Sequence, residues 1–161
     1  IDFLGTNKTT YTYYNSEDKI QEVGLSGKGS IEASYSYNYR IFNKLSFGVI
    51  GGVARFSKPR FSSFKIGAGF KFLYVKNRDY YLTLQYGYHI PFSRDKFREG
   101  HRIRMGQFFD LAKLGSGRFL LGIYYNYDFF YMDGAKPIYT GNDVPSSLKT
   151  DSYGLSIGFK F

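Results

Sequence analysis

The sequence predicts an all-β chain of eight antiparallel strands closed into a barrel, and three observations carry that expectation. Apolar and polar residues alternate along most of the chain, no window is apolar enough for a membrane-crossing helix, and short and long connections take turns. With 17 Tyr, 17 Phe and 19 Gly against 4 Pro, the composition favours strands joined by tight turns. At 161 residues the chain is one domain, so 1–161 form a single unit.

Successive side chains of a strand point to opposite sides, so each element is justified by its alternation. Residues 2–14 alternate poorly apart from Tyr11 and Tyr13, and are assigned as a strand because closure needs an even number. In 31–41, Ile31, Ala33, Tyr35, Tyr37, Tyr39 and Ile41 oppose Glu32, Ser34, Ser36, Asn38 and Arg40. Residues 45–56 begin with Leu45, Phe47 and Val49 on one face, then meet Gly51-Gly52, where a bulge would switch faces. Phe64, Ile66, Ala68, Phe70, Phe72 and Tyr74 face away from Lys65, Gly67, Gly69 and Lys71. In 80–92 the even positions are apolar, against Thr83, Gln85, Gly87 and His89. Residues 101–113 place Ile103, Met105, Phe109 and Leu111 on one face, joined there by Gln107. The odd positions of 119–129 and 153–161 complete the set and end on Phe161.

In the five most regular strands, 30 apolar-face positions hold no charged residue, where a chain 22% charged would place about six or seven by chance. The connections at 43–44, 76–79 and 114–117 are short, whereas 57–63, 93–100 and 131–150 are longer. Tight turns on one side, longer loops on the other and aromatics near both strand ends are the marks of a barrel in a bilayer. Strands of about ten to thirteen residues match a tilted crossing of the hydrocarbon layer. A lipocalin-like barrel has the same alternation but points its apolar face inward. Periodicity does not say which face is inside.

These features resemble the small OmpA/OmpX-type barrels of bacterial outer membranes, in which a closing strand ending on an aromatic is the assembly signal. The Tyr-rich stretch 31–52 is also similar to outer-membrane barrels of Bacteroidota, including those associated with type IX secretion and gliding. The resemblance implies an integral outer-membrane location, contact with lipid and lipopolysaccharide, and other outer-membrane proteins as partners. Ile1 opens without a basic segment and an apolar run, so the expectation is a chain whose signal peptide has been removed.

In that reading the polar face fills a narrow interior. Glu32, Arg40, Lys71, His89, Arg104, Asp110 and Asp128 are expected to form an interior network, with Lys65, Gln85, Arg102, Asn126 and Lys160 also facing inward. Charges away from water must pair or cost several kcal/mol each. The net charge of +9 points to a polyanionic neighbour. Arg55, Lys58, Arg60, Arg94, Lys96, Arg98 and Arg102 flank two long loops and are expected to meet lipopolysaccharide phosphates, which Arg grips by a bidentate fork. Nucleic acid is not expected, since no recognition helix accompanies the charge. Gln107, a polar residue on an apolar face, marks an expected partner surface.

Catalysis, cofactors and metals are not expected. There is no Cys, and the only histidines are His89 and His101. A Ser/His/acid set of Ser93, His89 or His101, and Asp95 or Glu99 is conceivable, and lipid A deacylases use a His and a Ser on an outward face. Parity turns His89 inward, away from that pattern. The chain therefore reads as a non-enzymatic barrel with structural or accessory work; the alternatives are a lipid A hydrolase and a small pore.

Overall fold

The computed structural model describes residues 1–161 apart from 16, 18, 27, 28, 76–79, 140 and 161. Among the described residues nine strands follow one another: β1 (Asp2–Tyr14), β2 (Ile20–Leu25), β3 (Ser30–Phe42), β4 (Leu45–Phe56), β5 (Phe61–Val75), β6 (Tyr80–Pro91), β7 (Glu99–Leu114), β8 (Gly117–Tyr131) and β9 (Val144–Lys160). All pairings are antiparallel, and there is no helix among the described residues. Eight strands, β1 and β3 to β9, form a ring because β1 pairs with both β3 and β9. This all-β architecture is compatible with a β-barrel. Phe161 and the expected turn at 76–79 lie outside the described residues.

Two local expectations need correcting. β4 runs in one register against β5 from Leu45 to Phe56, so no bulge at Gly51-Gly52 switches its faces. The bulge lies in β1 instead, between Thr6 and Lys8, where one extra residue moves the inward side from even to odd positions. Asp2 and Leu4 are buried before it, Thr9 and Tyr11 after it, which is why this strand alternates poorly in sequence. Finally, β9 begins at Val144, so the long connection is 132–143 rather than twenty residues.

β2 is a strand the alternation did not reveal. It pairs with β1 from Tyr14↔Ile20 to Thr9↔Leu25, and β3 resumes the same register at Leu4↔Ser30. The interruption is sharpest at Gly29, whose φ of +99° suits glycine and whose Cβ would sit 2.0 Å from the Leu4 carbonyl oxygen. Beyond Glu32, β3 loses β1 altogether.

The two faces of the ring differ as the periodicity could not decide. Leu82, Leu84, Tyr86, Ile103, Met105, Ile123, Leu155 and Ile157 are exposed on the outside, while Glu32, Lys65, Arg102, Arg104 and Asp128 are buried inside. The apolar face therefore points outward, opposite to a lipocalin-like arrangement.

The interior is layered. At the end carrying the longer connections, the loop end, Tyr11, Ala54, Phe56, Phe61, Phe97, Phe130, Met132, Ala135 and Leu148 form a hydrophobic core. Phe56, Phe61, Phe97 and Phe130 pack with ring centroids 4.4–5.3 Å apart. Loop residues Phe97, Met132 and Ala135 fold into the ring to complete it. At the opposite, turn end, a smaller cluster of Tyr81, Phe108 and Leu120 packs with Leu73. Phe108 has room because position 122 is Gly, where a Cβ would lie 2.4 Å from its ring. Between these two apolar layers lies a layer of charge.

Candidate functional site

The charged layer is built by inward positions on six strands. Glu32 on β3 is its hub: one carboxylate oxygen accepts from Lys65 Nζ at 2.6 Å and Arg104 Nη2 at 2.8 Å, and the other accepts from Arg102. Arg102 also forks onto Asp128, Nε to Oδ1 at 2.5 Å and Nη2 to Oδ2 at 2.9 Å. Arg104 Nη1 donates to Asp2 at 2.5 Å and its Nε to Asn126 at 2.8 Å, while its guanidinium lies 4.2 Å from the Tyr124 ring centroid. Ser156 completes Asp2 with a 2.6 Å bond. Three acids, Asp2, Glu32 and Asp128, thus balance three bases, Lys65, Arg102 and Arg104.

His89 closes the layer toward the loop-end core. Its Nδ1 is 2.8 Å from Ser63 Oγ, and its Nε2 sits 3.3 Å from Asp128 without hydrogen-bond alignment. Ser63, His89 and Asp128 stand in a hydrolase-like row, yet all three are fully buried, with Phe56 and Phe130 against the imidazole. A nucleophile must meet its substrate, and Ser63 is walled in. Arg102 and its bidentate grip further commit Asp128 to holding the wall. The void among Lys65, Gly67, Gln85, Arg102 and Arg104 measures about 10 Å³, roughly the room for one water.

The expected network residues divide by position. Glu32, His89, Arg104 and Asp128 meet in this layer. Lys71 and Asp110 lie lower: Lys71 Nζ is 3.4 Å from Ser36 Oγ and 5.2 Å from the Tyr81 centroid, and Asp110 accepts from Arg118 Nη1 at 2.6 Å. Arg40 corrects the expectation, being exposed on the stretch of β3 that β1 does not cover. Asp2 was missed because the bulge in β1 hides its parity. Lys65 faced inward by sequence but carries more than that implied.

The basic rim also divides. Arg102 is only 2% exposed and fully engaged by Glu32 and Asp128, so it cannot reach a phosphate outside the ring. Arg55, Lys58, Arg60 and Arg94 are exposed. Lys96 lies 3.9 Å from Asp95 and Arg98 3.8 Å from Asp133, surface pairs of little strength. Ser93 donates to Asp95, and that bond, helped by Lys136 and Lys96, holds the carboxyl below its ordinary range.

Two further candidates are engaged elsewhere. Gln107 faces outward but donates to the Tyr74 hydroxyl, so its amide does not demand a second protein. His101 Nδ1 is 2.5 Å from the Tyr86 hydroxyl on the outer wall. The Ser93, His and acid set is therefore not assembled by the bonds its members make. Among the described residues, no three His, Cys, Asp or Glu side chains gather as a metal site would require.

Comparison with family models, curated proteins and solved structures returned no match.

Proposed function

We propose that this protein is an integral outer-membrane β-barrel, similar in architecture to the OmpA/OmpX-type barrels, with a filled interior, no enzymatic activity, and structural or accessory work in the envelope. The observation that carries the proposal is the inside-out distribution of polarity. Soluble monomers rarely expose apolar patches beyond a few hundred Å², yet Leu82, Leu84, Ile103, Met105, Ile123 and Leu155 form continuous apolar wall on four neighbouring strands. A broad, open groove of about 780 Å³ on that wall is also lined mainly by apolar side chains. The balanced charge layer and the aromatic loop-end core support rigidity over conduction, and the burial of Ser63 speaks against hydrolysis. Exposed Arg55, Lys58, Arg60 and Arg94 at the loop end suit lipopolysaccharide phosphates.

The test is Leu84→Lys. Leu84 is 51% exposed, so a water-facing wall would accept lysine with little change in stability. A lipid-facing wall should lose roughly 2–4 kcal/mol on folding into bilayers, the cost of a cation near the midplane. Unfolding by denaturant from lipid vesicles measures the difference, and an unchanged stability would reject the membrane reading.

A further inference from the structure

On the outer wall, β6 to β9 change character toward the loop end. Register lines up Tyr88, His101, Phe129 and Lys149 in one row across the four strands, and the next row up sets Glu99 against Tyr131. Alternation gives all six the outward side of Leu84, Ile103, Ile123 and Leu155. The His101 imidazole packs on Tyr88 and Tyr131 with ring centroids 5.3 and 5.9 Å away, and Lys149 Nζ lies 5.9 Å from the Phe129 centroid. Glu99 Oε2 accepts from the Tyr88 hydroxyl at 2.7 Å, and His101 Nδ1 meets Tyr86. Among the described residues, neither Glu99 Oε1 nor His101 Nε2 has a hydrogen-bond partner. Aromatic rings thus frame two polar groups that the interior does not use.

Different chemistry lies above and below. Four residues past His101 on β7, Met105 enters the apolar groove of about 780 Å³, with Leu84 and Tyr125 beside it. Just before Glu99, the connection 92–98 carries exposed Arg94, Lys96 and Arg98, and Lys136 is stitched to it by a 2.9 Å backbone bond to Asp95. Those four cations face only two acids of the same connections, Asp95 and Asp133, at 3.4–3.9 Å. We propose that this stretch of wall binds one phosphorylated glycolipid. Its phosphate meets the cations, its sugar lies on Glu99, His101 and Tyr131, and its acyl chains follow Ile103 and Met105 into the groove. Arg and Lys pair with phosphate. The electron-rich face of a ring attracts the polarised C–H groups of a sugar, while carboxylate and imidazole meet its hydroxyls. A phosphate placed directly at Glu99 would be repelled, so the middle tier calls for hydroxyls. From Glu99 to Met105 the strand runs about 20 Å, room for a sugar and part of a chain. The inference rests on the lipid-facing wall proposed above, where an outward carboxylate belongs at headgroup level rather than in hydrocarbon.

Glu99→Gln combined with His101→Leu tests it, since neither change adds charge to the wall. Parent and double variant are reconstituted in phosphatidylcholine vesicles containing either lipid A or phosphatidic acid, which has the phosphate and chains but no sugar. Native mass spectrometry after extraction in mild detergent counts the lipid each retains. The parent should prefer lipid A. The double variant should lose about tenfold in lipid A retention, equivalent to about 1.4 kcal/mol, with phosphatidic acid unchanged. Replacing Arg94, Lys96 and Arg98 with Gln should lower both lipids. Tyr131→Leu, which cuts no side-chain hydrogen bond among the described residues, should also lower lipid A and serves if the double variant does not fold. Equal retention of both lipids by the parent would overturn the inference, as would undiminished lipid A in the double variant or in Tyr131→Leu. Leu84→Lys separates the two ways of failing. If it destabilises while lipid A is not selected, only the glycolipid site falls; if it leaves stability unchanged, the membrane reading falls and takes the site with it.

Discussion

The loop half and the turn half of the ring are built from the same alternating strands but hold together differently. In the loop half, nine buried residues, some supplied by loops, fill the interior, and β1 is paired on both edges. In the turn half, three buried residues with Leu73 form the cluster, and beyond Glu32 β3 no longer pairs with β1. The charged layer lies at the boundary, and Asp2, the first residue of β1, is one of its acids. Strand number alone therefore does not describe how each half is held; interior filling and edge pairing differ between them.

The largest effect should come from the boundary. Glu32→Gln keeps the shape but leaves Lys65, Arg102 and Arg104 facing only Asp2 and Asp128. Breaking a buried ion pair by removing one partner costs about 3–5 kcal/mol. Denaturant unfolding of the reconstituted protein should show a loss of that size. A loss below about 1 kcal/mol would mean that water reaches the layer and screens it, as at exposed pairs.

Next comes a direct contrast between the halves. Phe130→Ala removes a ring that touches Phe56, Phe61, Phe97 and His89, and should cost about 3–5 kcal/mol because the filled core cannot collapse around the cavity. Phe108→Ala removes the partner stacked on Tyr81 at 5.1 Å, in a cluster of only three buried residues with Leu73. Its cost should fall at or below the bottom of that range, about 3 kcal/mol. Equal losses measured in one denaturant series would erase the distinction between the halves.

The same contrast explains what the sequence could reveal. Alternation located seven of the eight ring strands, since a half-covered sheet writes its two faces directly into the chain; residues 2–14 were assigned from the even number that closure needs. It failed where one extra residue between Thr6 and Lys8 inverted the phase, which hid Asp2 from the interior. It also missed β2 and the start of β9, where Gln21, Glu22, Ser146 and Ser147 blur the faces. Interior parity named Glu32, His89, Arg104 and Asp128, but parity cannot choose partners: Arg102 lay near a loop in sequence and was assigned to the rim as well. The loop-end core was illegible for a similar reason. Phe97, Met132 and Ala135 sit in connections, and only the fold turns them into the ring.

The smallest stability effect should come from the basic rim, and it concerns binding. Arg55, Lys58 and Arg60 are exposed on or beside the turn between β4 and β5, well apart from the balanced interior. Single exposed pairs contribute only about 0–1 kcal/mol, so a phosphate-bearing lipid would be held by several at once. Replacing all three with Gln should leave the denaturant midpoint nearly unchanged while lowering the lipopolysaccharide that co-purifies. Raising salt should weaken retention by the parent, since such charges are screened over about 8–10 Å at ordinary ionic strength. Arg102→Gln should do the reverse, costing stability because it uncouples Glu32 from Asp128, with no selective loss of lipid per folded molecule. If the triple variant retains as much lipopolysaccharide as the parent, the rim is solvated loop charge and the phosphate assignment fails.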